Sequence, residues 1–315
     1  MKRILTLALA SCLTFSLGIS AIAVEGSGNN SLDAMIESAA PVEETESSLL
    51  ESTAVENDGS LPETTVAEDD GAIHIIVNDT VIPTDVPVQI LDGVSYVPYW
   101  PVVKALYPDA TAEWTNDRAM VTANGLNLEI RPGLTYFIAN GRYLYLSQGI
   151  VLSGENLLLP VRPLCAALGA EVAWDPIGED IVITSGDGPI ASADVAYPED
   201  VLYWLSHIIN AEAGNQPLTG KIAVGNVVLN RVNSSLFPNT VYEVIYQRGQ
   251  FTPVSNGSIK LTPNEESVIA AKLCLDGANT VGNALYFMNP RTSSSSWMAR
   301  HRSYVTTIAQ HAFYA

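Results

Sequence analysis

One carboxylate stands where acid–base chemistry is possible. In Ile208-Ile209-Asn210-Ala211-Glu212-Ala213, Glu212 follows two apolar residues by four and three positions. That spacing puts it on the apolar side of a helix read over 198–213, whose stripe is Val201, Leu205, Ile208 and Ile209. Ala211 and Ala213 leave room beside it. A carboxyl drawn out of water has a raised pKa, the state a general acid needs near neutral pH. The same position equally suits a buried structural carboxylate paired with Arg231 or a backbone group.

A glycosidase ordinarily needs two carboxyls flanking the scissile bond. The other acids after residue 190 are Asp194, Glu199, Asp200, Glu243, Glu265, Glu266 and Asp276. Glu199 and Asp200 lie about 18 Å back along the same helix, at a rise of about 1.5 Å per residue. Glu265 and Glu266 suit a helix start, with Thr262 as N-cap and Glu265 closing a capping box. Glu243 lacks such a role and sits at an exposed helix start. Gln250, Tyr286 and Asn289 are candidates for substrate binding. Amides can pair with the polar groups of a ligand, and the neighbouring Phe251 and Phe287 offer flat apolar faces. Trp297 suits the rim of such a groove.

Zinc chemistry would need about three ligands. His207, His301 and His311 have no i, i+4 pairing, so the expectation is no metal and no cofactor. Cys165 and Cys274 both fall in apolar helical contexts and read as buried free thiols.

The elements that must hold these groups form two regions. After residue 190 come three amphipathic helices: 198–213, Thr219 to Arg231, and one within TPNEESVIAAKLCLDG. A loop surrounds Arg248-Gly249-Gln250-Phe251, and ALYFMNP and TTIAQHAFYA follow. The motifs IINAEAGNQPLTGKIAVGNVVLNRV, FPNTVYEVIYQRGQFTPV, LTPNEE, ALYFMNP and HAFY together resemble the SleB-type, spore-cortex-lytic family of cell wall hydrolases. The resemblance implies a mainly α, lysozyme-like catalytic domain over 196–315 that cleaves peptidoglycan glycan strands next to N-acetylmuramic acid. It implies a lytic transglycosylase with one Glu as general acid and base, at the position of Glu212. The alternatives are a zinc-dependent N-acetylmuramoyl-L-alanine amidase and a non-catalytic wall-binding protein. The domain is expected to fold and cut alone, as residues 192–315.

The middle of the chain repeats itself. Tyr96-Val97-Pro98 precedes the helix-like VVKAL and then Trp114. Leu159-Pro160-Val161 precedes RPLCAALGA and then Trp174. IHIIV, LNLEI and DIVIT alternate as half-buried strands do, and Asn124-Gly125 and Asn140-Gly141 are hairpin signals. The reading is a β-rich α+β repeat module of two units with one helix each. DGVSYVPYWPVVKAL and ENLLLPVRPLCAALGAEVAWD resemble the copper amine oxidase N-terminal domain, here 73–188. No histidine cluster is present: His74 is the only histidine before His207. The module reads as a glycan binder or a folded spacer.

Lys2, Arg3, the apolar run from Ile4 to Ala23 and Ala21-Ile22-Ala23 read as a secretory signal peptide over 1–23. Residues 24–72 read as a disordered acidic linker: 25–72 hold thirteen Asp and Glu and no Lys or Arg. The formal net charge of −19 disfavours nucleic acid as a partner. The mature chain shows no membrane span. The expected partner is peptidoglycan, at the cell wall or spore envelope of a secreted, multidomain protein, and the sequence leaves its oligomeric state open.

Overall fold

The computed structural model describes residues 71–292 and 296–315, without the side chains of Ser296 and Trp297. The signal peptide expected over 1–23 lies outside the described residues, as does the acidic linker except for its last two residues.

Strand alternation and turn chemistry build the first half. β1 (Ile75–Val77) buries Ile75 and Val77, and β2 (Thr80–Val81) pairs back on it. β3 (Gln89–Leu91) and β4 (Val94–Pro98) form a hairpin around Asp92-Gly93, both at positive φ. That mirror-image turn matches the twist of the strands. Pro98 closes β4 and opens α1 (Tyr99–Leu106), where its missing N–H costs nothing. β5 (Thr111–Thr115) and β6 (Arg118–Ala123) begin an antiparallel meander. It continues through β7 (Leu126–Ile130), β8 (Tyr136–Ala139) and β9 (Arg142–Tyr145). Asn140-Gly141 turns with both residues at positive φ. At Asn124-Gly125 only the glycine does, so that turn is of another type.

The second copy follows. β10 (Val151–Ser153) and β11 (Asn156–Pro160) lead into α2 (Val161–Leu168), then β12 (Ala170–Asp175) and β13 (Asp180–Ser185). Each copy is therefore hairpin, proline, helix, hairpin. The copies join where β4 pairs antiparallel with β11: Tyr96 opposite Pro160, Val97 opposite Leu159, Pro98 opposite Leu158. Placing Pro98 on Pro160 maps this pairing onto itself, so a local two-fold axis passes between Val97 and Leu159. β13 adds a parallel partner, β1, on its far side. Val97, Val102, Val103, Leu159 and Leu164 fill the core between the copies.

The second half is helical with one small sheet. α3 (Ala193–Ala196), α4 (Glu199–Ala213), α5 (Leu218–Val232), α6 (Val241–Tyr246), α7 (Thr252–Asn256) and α8 (Glu265–Leu275) precede β14 (Tyr286–Met288). α9 (Ser296–His301), β15 (Tyr304–Ile308) and β16 (His311–Tyr314) complete it, with β16 central in the sheet. The motifs ALYFMNP and HAFY thus form neighbouring strands, an antiparallel sheet within a region expected to be mainly α. α4, α5 and α8 meet at Gly225. A Cβ there would stand 2.6 Å from Cys274 Sγ and 2.9 Å from Ile209 Cδ1, so only glycine permits this approach. Cys165 and Cys274 are buried free thiols, and burial pushes the Cys165 thiol up to about 12.

The cap of α8 differs from the one read in the sequence. Asn264, not Thr262, is the N-cap, and its side chain accepts the Ser267 N–H at 2.8 Å. The reason is tertiary: Asn264 also bonds to the end of α4, contacts that Thr262 does not make.

The two halves lie in one compact unit. Tyr136, Tyr143 and Tyr145 of the meander pack against the helical core. Asp276, with its side chain 1% exposed, accepts Arg142 Nε at 2.7 Å and Tyr143 N–H at 2.9 Å, and also pairs with Arg142 Nη2 and the Tyr197 hydroxyl. Among the described residues no helix is long and apolar enough to cross a membrane.

Candidate active site

Glu212 sits in the last turn of α4, one residue before the buried Ala213. Its side chain is half-buried. Among the described residues its carboxyl has no hydrogen bond or ion pair. Burial raises its pKa above the ordinary 4.5, and the positive charge of Arg231 pulls it part of the way back. The structure therefore does not place Glu212 in the ion pair with Arg231 that the sequence left open. Arg231 Nε donates to the Leu285 carbonyl at 2.7 Å instead.

The chain around Glu212 is held from several sides. Gly214 N–H returns to Asn210 O at 2.9 Å, and Gln216 N–H to Ala213 O at 2.8 Å. Asn210 Oδ1 accepts the Asn264 N–H at 3.1 Å, and Asn264 Nδ2 donates to Gly214 O at 3.1 Å. The start of α8 is thus bonded to both sides of the catalytic candidate. Lys221, buried in α5, donates to Gln216 O at 2.8 Å and pairs with Glu266. Asn210 and Asn264 carried no signal in the sequence beyond their capping propensity.

Arg231 is the hub that sequence reasoning missed, having treated it only as a rival partner for Glu212. Its guanidinium lies 4.9 Å from the Phe237 ring, 5.1 Å from Phe251 and 5.7 Å from Tyr286. It is 5% exposed, and Nη1 is buried without a hydrogen-bond partner among the described residues. Burial lowers its pKa to about 10, opposed by the nearby Tyr286 and Glu212. Arg231 therefore links two of the candidates read from the sequence, Glu212 and Tyr286.

The remaining candidates differ in how they are engaged. Tyr286, half-buried on β14, packs its ring 6.0 Å from Phe237 and 4.4 Å from the Arg302 guanidinium. Gln250 is exposed in the turn after α6, and its side chain makes no hydrogen bond among the described residues. Its neighbour Phe251 is buried against Arg231 and Phe287. Asn289 Oδ1 accepts the Arg291 N–H at 3.0 Å, an Asx turn that occupies one end of its amide. The side chain of Trp297 lies outside the described residues.

Glu243 has a local role after all. Its N–H donates to Thr240 Oγ1 at 3.2 Å and its carboxylate accepts that hydroxyl at 2.9 Å, a side-chain cap at the exposed start of α6. His207 stacks on Tyr203 at 4.0 Å between centroids, and His311 packs edge-on to Phe287 at 5.1 Å. Among the described residues no three His, Cys, Asp or Glu side chains are grouped to hold a metal ion.

Residues 215–314 match the family model for the cell wall hydrolase domain, and residues 76–183 match that for the copper amine oxidase N-terminal domain. The C-terminal domain belongs to the cell wall hydrolase family. Glu212 stands three residues ahead of the matched segment. Among similar proteins, the spore cortex-lytic enzyme of Oceanobacillus iheyensis is 36% identical over 136 residues, 43% of this chain and 48% of the relative. That of Bacillus cereus is 38% identical over 117 residues, 37% of this chain and 45% of the relative. The chain therefore spans about half the length of the curated relatives it matches. A solved structure, the catalytic domain of the germination-specific lytic transglycosylase SleB from Bacillus anthracis, is 38% identical. It covers 38% of this chain and 97% of its own, with a TM-score of 0.36. In this cell wall hydrolase domain, the segments matching the family model include β14 and β16, the strands that carry Tyr286 and pack behind it.

Proposed function

We propose that this protein cleaves the glycan strands of peptidoglycan next to N-acetylmuramic acid as a lytic transglycosylase, through a lysozyme-like C-terminal domain. Glu212 is the general acid and base, and Gln250, Tyr286 and Asn289 bind substrate. The observation that carries the reading is Glu212 itself: a half-buried carboxyl with a raised pKa and no hydrogen-bond or ion-pair partner among the described residues, at a braced helix end. Relatives named spore cortex-lytic enzymes and lytic transglycosylase support it.

Protonated Glu212 gives its proton to the bridging oxygen as the C1–O4 bond breaks. The muramic 6-hydroxyl attacks C1 and returns its proton to the Glu212 carboxylate. The product is a 1,6-anhydro sugar, no water is consumed, and the enzyme ends as it began. Arg231 favours the carboxylate halfway through this cycle, because its charge steadies the anion that burial penalises.

Mass spectrometry of peptidoglycan digested by the full chain tests the reading. Anhydro-muramic ends are expected. Reducing ends would instead mean hydrolysis, and free stem peptides an amidase. Glu212→Gln keeps the shape and removes the proton, so cleavage is expected to fall about 10²- to 10⁴-fold. Its melting temperature should match the parent's, since no ion pair is lost. A variant that cuts at the parent's rate overturns the assignment.

A further inference from the structure

The repeat places a tryptophan at the same point of each copy, and both stay in water. Trp114 on β5 is 61% exposed and Trp174 on β12 is 46% exposed. Each stands on the rim of a cleft. The cleft beside Trp174, about 510 Å³, takes Pro160, Val161 and Arg162 from its own copy and Val94 and Ser95 from the other. The cleft beside Trp114, about 290 Å³, takes Pro98, Tyr99 and Trp100 from its own copy and Glu155 and Asn156 from the other. Since β4 and β11 exchange under the local two-fold, the two clefts are versions of one site.

Packing does not account for these indoles. The neighbouring core positions are filled, and the copies differ freely elsewhere: Trp100 in one is matched by Arg162 in the other. What the clefts share is an exposed indole together with polar side chains in the lining, Ser95 and Arg162 in one and Glu155 and Asn156 in the other. Among the described residues the side chains of Arg162 and Asn156 have no hydrogen-bond or ion-pair partner. A pyranose has that complementarity, with an apolar C–H face for stacking and an edge of hydroxyls and amides for pairing.

We propose that the β-rich module is a carbohydrate-binding module with two subsites, Trp114 and Trp174, for a β-linked amino-sugar polymer. The choice of polymer rests on the proposed function, since the C-terminal domain belongs to a cell wall hydrolase family. Two weak subsites on one repeating polymer act together, so the loss of both exceeds the loss of either.

The test is co-sedimentation of the full chain with purified peptidoglycan sacculi, in the Glu212→Gln background so that the polymer stays intact. Trp114→Ala and Trp174→Ala are each expected to weaken binding about tenfold, and the double variant more than either, with parent-like melting. In the wild-type background the double variant is expected to cut soluble muropeptide oligomers at the parent's rate and to lose activity on sacculi. If the double variant sediments like its parent, or the parent does not sediment, the proposal is overturned. Retained cleavage in either case leaves the enzymatic reading intact. Trp-dependent binding by a chain that cleaves nothing sinks that reading and supports this one.

Discussion

Glu212 and Arg231 pull on one proton from opposite sides. Burial raises the Glu212 pKa and the Arg231 charge lowers it. A general acid works only while protonated, so activity is lost as pH rises through its pKa. Arg231→Gln removes the lowering charge, so the alkaline limb of the pH–rate profile is expected to move to higher pH. The same variant strips the Leu285 carbonyl of its Nε donor. That costs about 1–3 kcal/mol, visible as a lower melting temperature. An alkaline limb that stays put or moves down would mean that the charge is not felt at Glu212. At this scale the sequence was legible where the pattern is local. Ile208 and Ile209 place Glu212 on the inner side of its helix, and its alanine neighbours leave it room. Arg231 was not legible as a hub, because its ring partners Phe237, Phe251 and Tyr286 come from three separate segments.

The elements around the site are tied by asparagines rather than by apolar packing alone. Asn264 caps α8 through Oδ1 and holds the end of α4 through Nδ2 and its own N–H. Asn264→Asp keeps the cap acceptor and loses the Nδ2 donor to Gly214 O. It is expected to leave melting within a few degrees of the parent while lowering the cleavage rate severalfold. Asn264→Ala loses both, with a further cost of about 1 kcal/mol from the cap. A fall in activity for alanine alone would assign Asn264 to the cap and not to the brace. The sequence pointed to Thr262 alone as the cap, on the near side of Pro263. Thr262 fits the capping-box pattern, and only contacts across 54 residues select Asn264. The hairpin–proline–helix repeat was easier, because each of its signals lies within a few residues.

At the scale of the whole molecule, Asp276 fastens the helical half to the meander. Arg142, Tyr143 and Tyr197 converge on one carboxylate, although Arg142 lies 134 residues away in sequence. No local pattern announces such a meeting. The sequence accordingly read as two regions, with residues 192–315 expected to stand alone, whereas the fold gives them a shared, buried ion pair. Asp276→Asn leaves the Arg142 charge without its counter-ion, an expected loss of about 3–5 kcal/mol. At about 2–4 °C per kcal/mol for a unit this size, melting should fall by roughly 10 °C, in one transition seen by near- and far-ultraviolet circular dichroism alike. Two separate transitions, or an unchanged one, would show that the halves do not depend on this contact.

The pairing of β4 with β11 also settles what happens to two strand edges. Each copy offers a strand edge whose register fits the edge of its own twin. A single copy would leave that edge bare, with a row of unpaired N–H and C=O groups that another molecule of the same kind could complete. The module has the form of such a symmetric pair carried on one chain, so each copy covers the bare edge of the other and leaves no seam for a second molecule to complete.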